Sequence, residues 1–343
     1  MLPPTFLLNN FSPNMNLNSK IYIAGHQGLV GSALVRQLKL RGYKNLVVRN
    51  HKELDLINQQ SVIDFFQEEK PEYIILAAAK VGGIYSNNTY PADFIFSNLA
   101  IQTNIIHQSF LFGVKRLLFL GSSCIYPRDC PQPIKEEYLL TGVLEKTNQP
   151  YAIAKIAGIE MCRSYNRQYG TNNLAVMPTN LFGPNDTYHA ENSHVIPAMI
   201  NKFTKAKDKK DSTVTLWGTG KPRREFLYVD DMAEACILLM NLEDKIFKSL
   251  LSYDDEINIS SFINIGSGKD LSISELAELV RETVGFKGKI IFDASKPDGT
   301  MRKLLDSSRL NKLGWRPALD LKSGLQKTYE DFISMHNQSK NVR

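Results

Sequence analysis

Three groups of residues in this chain have the types and spacing that chemistry requires. The first is "YAIAK", where Tyr151 and Lys155 stand four apart, one helical turn, and so share a face. A free phenol has a pKa near 10, too high to exchange protons efficiently at neutral pH. An ammonium one turn away favours the phenolate and brings the group into working range. The second group is "GSSCIYP" (121–127), which follows the apolar run Leu117–Leu120 with Ser122, Ser123 and Cys124. Serine and tyrosine hydroxyls can hold a carbonyl oxygen while hydride reaches its carbon and the tyrosine supplies the proton. The third is the glycine triplet Gly25, Gly28 and Gly31. Glycine is needed where backbone approaches a pyrophosphate closely and helix N–H groups point at it. A tyrosine–lysine pair alone occurs by chance in many helices. Beside a dinucleotide turn and a serine pair, it reads as a reductase site.

These residues need elements to hold them. The first strand is Ile21–Ala24, and Leu29, Val30, Ala33, Leu34 and Leu38 then recur at helical spacing until Gly42. The glycines therefore sit on a strand-to-helix turn, a context that makes an otherwise weak motif strong. Strands follow at 45–48, 73–76, 116–120 and 174–177, with helices from Pro91 to about Phe112 and from about Tyr151 to Tyr169. Small residues in "AAAKVGG" let a ligand lie close above the sheet. This rhythm predicts an α/β chain with a Rossmann-type doubly wound parallel sheet and ligands at its carboxyl edge. After Asn180 the rhythm breaks into a loop, short strands "TVTLW" and "REFLYV", and a helix N-capped near Asp230. Then come "INIGSG", a helix from about Ser272, a strand "KIIF" and a C-terminal helical pattern. The expected organisation is a disordered extension at 1–16, a dinucleotide-binding domain of 17–181 and 226–268, and a smaller α/β C-terminal substrate lobe of 182–225 and 269–343.

Composition narrows the classes. The 343 residues are 43% hydrophobic and 22% charged, with a net charge of +6, as in a globular protein able to bury a core. The largest basic cluster, from Lys202, contains acids and reads as a solvated face. No basic stripe with interleaved aromatics suggests nucleic acid, and no apolar run approaches the ~18 residues that span a bilayer. The amino-terminal segment has no basic n-region or small-residue cleavage site, and Met15 looks like the more natural start. Cys124, Cys130, Cys162 and Cys236 lack CxxC spacing, which predicts reduced thiols in a cytoplasm and no metal site.

Longer stretches carry a resemblance: "AAAKVGGIYSNNTYPADFI", "GSSCIYP", "PYAIAKIAGIEMCRSYNRQYG", "MPTNLFGPND", "NSHVIPA" and "FDASKPDGTMRKLLD". From about Lys20 to Tyr329 the chain resembles the extended short-chain dehydrogenase/reductases. Within them it is similar to the branch that converts GDP-4-keto-6-deoxy-D-mannose to GDP-L-fucose, by 3,5-epimerisation and then reduction at C4. The resemblance implies NADP(H) as cofactor, that GDP-sugar as substrate, and a homodimer formed through the helices at 91–112 and 151–169.

It also implies roles. Protons on the carbons flanking a C4 ketone are weakly acidic, because the carbanion delocalises into the carbonyl. Inverting such a centre needs a base on one face and an acid on the other. The resemblance implies Cys124 as base and His194 as acid, whose unperturbed pKa values of about 8.5 and 6.5 bracket neutrality. The bland reading of Cys124 is a small buried hydrophobe; that of His194 is a loop histidine, with His189 as its decoy. The catalytic set is then Ser122, Cys124, Tyr151, Lys155 and His194. For the cofactor the expected contacts begin with Gly25, Gln27, Gly28, Leu29, Val30 and Gly31 in the first turn. Strand ends add Ala77, Ala78, Leu120, Gly121, Ser122 and Ser123, then Pro178, Thr179, Asn180 and Leu181, with Tyr151, Lys155 and His194 at the reacting end. For the substrate the resemblance places Lys202, Trp217, Arg224, Asp298 and Lys303, with Arg223 competing for the phosphate role.

A basic residue after the second strand favours the 2′-phosphate of NADP, and Arg49, His51 and Lys52 stand there without an acid before Glu53. Gln27 and His51 occupy positions where the family often has arginine, which leaves the preference over NAD open. Two other readings remain. One is a sugar-nucleotide 4-epimerase or 4-reductase that leaves C3 and C5 alone. The other is a dinucleotide-binding protein without catalysis, which Tyr151 and Lys155 argue against.

Overall fold

The computed structural model describes residues 15–188, 193–251, 261–296 and 298–341. Residues 1–14 of the extension expected at 1–16, and His189, lie outside the described residues. Met15, which the sequence assigned to that extension, is fully buried in the core, and its N–H donates to Asn241 Oδ1 at 3.2 Å.

In chain order the first elements are β1 (Ile21–Ala24), α1 (Leu29–Leu40), β2 (Leu46–Val47), α2 (Gln59–Glu69) and β3 (Tyr73–Leu76). Next come α3 (Ile84–Thr89), α4 (Pro91–Leu111), β4 (Arg116–Leu120), α5 (Gln149–Tyr169) and β5 (Asn173–Pro178). β6 (Asn180–Phe182), α6 (Val195–Lys209), β7 (Thr213–Trp217), β8 (Arg223–Tyr228), α7 (Val229–Met240) and α8 (Asp244–Leu251) follow. The chain continues through β9 (Phe262–Ile265), β10 (Asp270–Ser272), α9 (Ile273–Val284), β11 (Lys289–Asp293), β12 (Arg302–Lys303), α10 (Ser308–Lys312) and α11 (Leu321–Asn341).

Six strands form one parallel sheet in the order β2-β1-β3-β4-β5-β9. β1 and β3 are apolar throughout, and β4 and β5 after their first residues Arg116 and Asn173, because both faces are covered. Alternate side chains of β1 serve different cores: Ile21 and Ile23 pack with α1 and α7, Tyr22 and Ala24 with α2 and the α4–α5 side. α5 begins with a proline in its first turn, starts two residues before the expected Tyr151, and stops at Gly170, whose φ of 67° suits glycine.

The remaining strands form β10-β8-β12 with β6 beside β8, and a β11–β7 pair. A third core, containing Phe203, Phe226 and Phe286, lies under α6, α9 and α11. α9 is held by a capping box between Ser272 and Glu275. β6 and β8 pair with each other, straddling the boundaries expected at 181 and 226. The N-cap expected near Asp230 is Tyr228, and Asp230 itself, in the first turn of α7, pairs with Arg36 of α1 at 2.6 Å. Its charge still favours the helix start, where the dipole is positive.

β8 carries a fully buried carboxylate, Glu225. It accepts the N–H of Gly268 at 2.7 Å and of Leu305 at 3.0 Å, while its main-chain carbonyl accepts from the Thr179 hydroxyl and the Asn180 amide. One residue thereby ties the exits of β5, β9 and β12 together, and burial pushes its carboxyl pKa up.

Candidate active site

The turn after β1 is built for close approach. Gly25 has φ 85°, and a Cβ there would lie 2.7 Å from Ala78 N; at Gly31 one would lie 2.1 Å from Gly25 O. Gly28 is the N-cap of α1, with no side-chain cap and no acid in the first turn, so the helix presents its N-terminal N–H groups. Gln27 is exposed beside them, and Leu29, Val30, Ala77 and Ala78 are half-buried around the turn. His26, which the sequence reading passed over, has a buried Nδ1 with no hydrogen-bond partner. These features fit a dinucleotide pyrophosphate, and the orphaned Nδ1 marks where a polar ligand atom would be met. Only its place between two turn glycines could have drawn attention to His26.

At the end of β4, Leu120 and Gly121 are buried, and Gly121 donates its N–H to Val176. Ser122 opens a turn of 3-10 helix, Ser123–Ile125; its hydroxyl accepts the Cys124 N–H at 3.2 Å, and it stands near enough to the Tyr151 hydroxyl to lower its pKa. Ser123 is buried and Cys124 half-buried. Phe94 of α4 meets the Tyr151 ring edge-on at 6.3 Å, and the Lys80 ammonium lies over Phe94.

Lys155 departs from expectation. Its ammonium is buried and donates to the Leu120 carbonyl at 2.7 Å; burial lowers its pKa to about 7. Enclosure, and after it the nearby Cys124, push the Tyr151 phenol well above its ordinary value, and only Ser122 pulls it down. The expected ammonium-stabilised phenolate is therefore not what this arrangement favours, because desolvation weakens the lysine charge and outweighs it at the phenol.

At the next strand end, Pro178 and Leu181 are half-buried and flank Thr179 and Asn180, whose side chains are turned to the Glu225 carbonyl. His194 is the N-cap residue of α6 and is exposed, while the protein packed around it lowers its pKa. Val195 beside it lines a recess of about 150 Å³ with Trp217, Gly220, Pro222, Arg224, Ile273, Asp298 and Gly299. Trp217 is exposed, with the Lys296 ammonium 5.6 Å from its ring centre. Asp298 accepts from Thr219 N at 2.9 Å and Thr219 Oγ1 at 2.6 Å, and its charge acts on Arg224. Cys124 also acts electrostatically on Arg224, which lines the recess.

Not every expected contact converges. Arg223 pairs with Asp270 and Glu275, leaving Arg224 to face the recess. Lys202 donates to the Thr215 carbonyl at 2.6 Å, and Lys303 stands opposite Arg224 in strand register. Arg49, expected to meet a 2′-phosphate, is ion-paired with Glu69 and lies over Phe65; His51 stands in an exposed turn. Among the described residues no group of three or more His, Cys, Asp and Glu could hold a metal ion, and no helix is long and apolar enough to cross a membrane.

The model of the NAD dependent epimerase/dehydratase family matches residues 21–259. This chain belongs to that family. Among NAD dependent epimerase/dehydratase family members it is 56% identical over 323 residues to "Putative GDP-L-fucose synthase 2" of Arabidopsis thaliana, covering 94% of each chain. It is 52% identical to "GDP-L-fucose synthase" of Escherichia coli K12, covering 92% of this chain and 96% of that one. Two solved structures are also similar. A GDP-6-OMe-4-keto-L-xylo-heptose reductase from C. jejuni has TM-score 0.88 and 43% identity, covering 94% and 99% of the chains. A GDP-L-fucose synthetase from Naegleria fowleri bound to NADP has TM-score 0.82 and 26% identity, covering 94% and 96%.

Proposed function

We propose that this chain converts GDP-4-keto-6-deoxy-D-mannose to GDP-L-fucose with NADPH. The observation that carries the reading is the junction of the Ser122–Tyr151–Lys155 cluster with Cys124 and, through Arg224, with a recess suited to a nucleotide. Similarity to GDP-L-fucose synthases at 52–56% identity supports it.

At C3 and then at C5, Cys124 takes the proton and His194 gives one to the opposite face, and proton exchange with solvent restores the thiolate and imidazolium between the two inversions. Its lowered pKa makes the imidazolium of His194 a stronger acid than free imidazolium, which suits protonation of carbon. Ser122 and Tyr151 hold the enolate oxygen through both inversions. When bound, NADPH supplies the hydride for C4. Tyr151, whose raised pKa keeps it protonated, then gives its proton to the C4 oxygen. Gly25, Gly28 and Gly31 hold the pyrophosphate, while Arg224, Trp217 and Lys303 take the GDP end of the substrate. The two lobes divide this labour between cofactor and GDP-sugar. Exposed Phe96, Ile153 and Tyr169 on α4 and α5 support a homodimer through those helices.

A second reading, a GDP-heptose C4 reductase, draws on the 43% identity to the C. jejuni enzyme. One assay separates them: protein with NADPH and GDP-4-keto-6-deoxy-D-mannose, followed by absorbance at the reduced-nicotinamide band and product identification. GDP-L-fucose supports the first reading. Oxidation of NADPH with C3 and C5 unchanged would favour the second, and no oxidation would defeat both.

A further inference from the structure

Arg49 follows β2 at the carboxyl edge of the sheet. The register Ile21↔Leu46 and Tyr22↔Val47 brings its backbone level with Ala24, next to the glycine turn. Its guanidinium does not stay there. It passes over the Phe65 ring at 5.9 Å, acts on Tyr22, and ends in an ion pair with Glu69, the last residue of α2. Helices of such sheets run antiparallel to the strands, so the end of α2 lies toward the amino edge. Lys20, just before β1, confirms the location: it meets the Glu69 carboxylate at 3.3 Å and the Glu69 carbonyl at 2.8 Å.

We infer that Glu69 is a specificity-determining residue, which holds Arg49 back along the sheet so that a 2′-phosphate must compete with its carboxylate for the guanidinium. This rests on the NADP reading above. The pair is largely shielded, with side-chain exposures of 32% and 17%, where charge attraction is screened less than at an open surface. Arg49 also keeps a bond to the Val48 carbonyl at 3.0 Å, so it can lose Glu69 without being left unpartnered. Lys20 likewise keeps the Glu69 main-chain carbonyl. Removing the Glu69 charge therefore releases Arg49 with little cost to the fold. NADH has no phosphate on that ribose and is indifferent to the latch.

The test is calorimetric titration of NADPH and NADH into wild type, Glu69→Gln, Arg49→Ala and the double variant, at low ionic strength. Glu69→Gln should tighten NADPH by about fivefold, the size of a modest ion pair, leave NADH within twofold, and melt within a few degrees of wild type. In the Arg49→Ala background the gain should vanish. The latch is overturned if Glu69→Gln shifts both cofactors alike, weakens NADPH, leaves its preference unchanged, or tightens NADPH without Arg49. If wild type binds the two cofactors equally and Arg49→Ala alters neither, the NADP reading itself has failed and the latch falls with it. Should Glu69→Gln fold poorly, Glu69→Asp, with shorter reach, should give the same change in smaller measure.

Discussion

The Lys155 ammonium donates to the carbonyl of Leu120, the residue that ends β4 two positions before Ser122, at 2.7 Å. The bond anchors α5 to the strand end that carries the serines, in surroundings that lower the lysine pKa to about 7. Unfolded, the same lysine titrates near 10.4. Between those values the unfolded chain holds the extra proton, so this group's contribution to stability rises with pH and its cost is fully felt below about 7. Lys155→Met should raise the melting temperature relative to wild type at pH 6.5, with the gap narrowing by pH 9. Thermal scans at the two pH values check it; a constant gap would mean that Lys155 is not desolvated.

Tyr151→Phe keeps the ring that packs on Phe94 and removes only the hydroxyl that meets Ser122. The fold and NADPH binding should persist, and the rate of C4 reduction should fall by about 10²–10⁴-fold, the usual weight of a positioned proton donor. Stopped-flow absorbance measures it, and near-wild-type turnover would remove Tyr151 from the mechanism.

Cys124→Ser and His194→Asn should separate proton abstraction from inversion. A serine hydroxyl is of similar size but a poor base at neutral pH, so Cys124→Ser should exchange the C3 and C5 protons with deuterated solvent far more slowly. Given NADPH, it should slowly reduce un-epimerised ketone to a 6-deoxy D-sugar. His194→Asn should still admit deuterium, since the thiol remains, but should not invert. Solvent-exchange NMR and product analysis read both. Undiminished GDP-L-fucose formation by Cys124→Ser would make that cysteine packing alone.

Arg224 and Arg223 are adjacent but differently engaged. Arg224→Lys removes the fork that reaches the Arg223 carbonyl at 2.8 Å while facing the recess. It should raise KM for the GDP-sugar by about tenfold, a loss within the range of charged hydrogen bonds, and leave the Kd of NADPH unchanged. Arg223→Lys should instead leave KM alone. The reverse pattern would exchange their roles.

Much of this was legible in the sequence, for stated reasons. β1, β3, β4 and β5 are buried on both faces and show as unbroken apolar runs, and the glycines of the first turn announce themselves by spacing. The face shared by Tyr151 and Lys155 follows from helical period. What the period does not carry is where a long side chain ends. Arg49 finds Glu69 twenty residues on, Asp230 finds Arg36, and Lys155 finds a carbonyl. Each destination is a tertiary contact with no local signature. α2 was missed because only Val62, Phe65 and Phe66 are buried along it, though Asn58, whose side chain accepts the Ser61 N–H, was a readable cap. α6 was missed as well, although Ile196, Met199, Ile200 and Phe203 stand buried at helical spacing along it.

Glu225 has a consequence for anyone redesigning substrate choice. Because that one carboxylate clasps the exits of β9 and β12, while its carbonyl holds Thr179 and Asn180, β8 is common property of the cofactor edge and the recess. Altering it disturbs both at once. Asp298 and Gly299, by contrast, belong to the connection between β11 and β12 and form the recess wall facing Arg224. Grafting a different wall there would retune which sugar nucleotide is admitted while the machinery that delivers hydride is inherited intact.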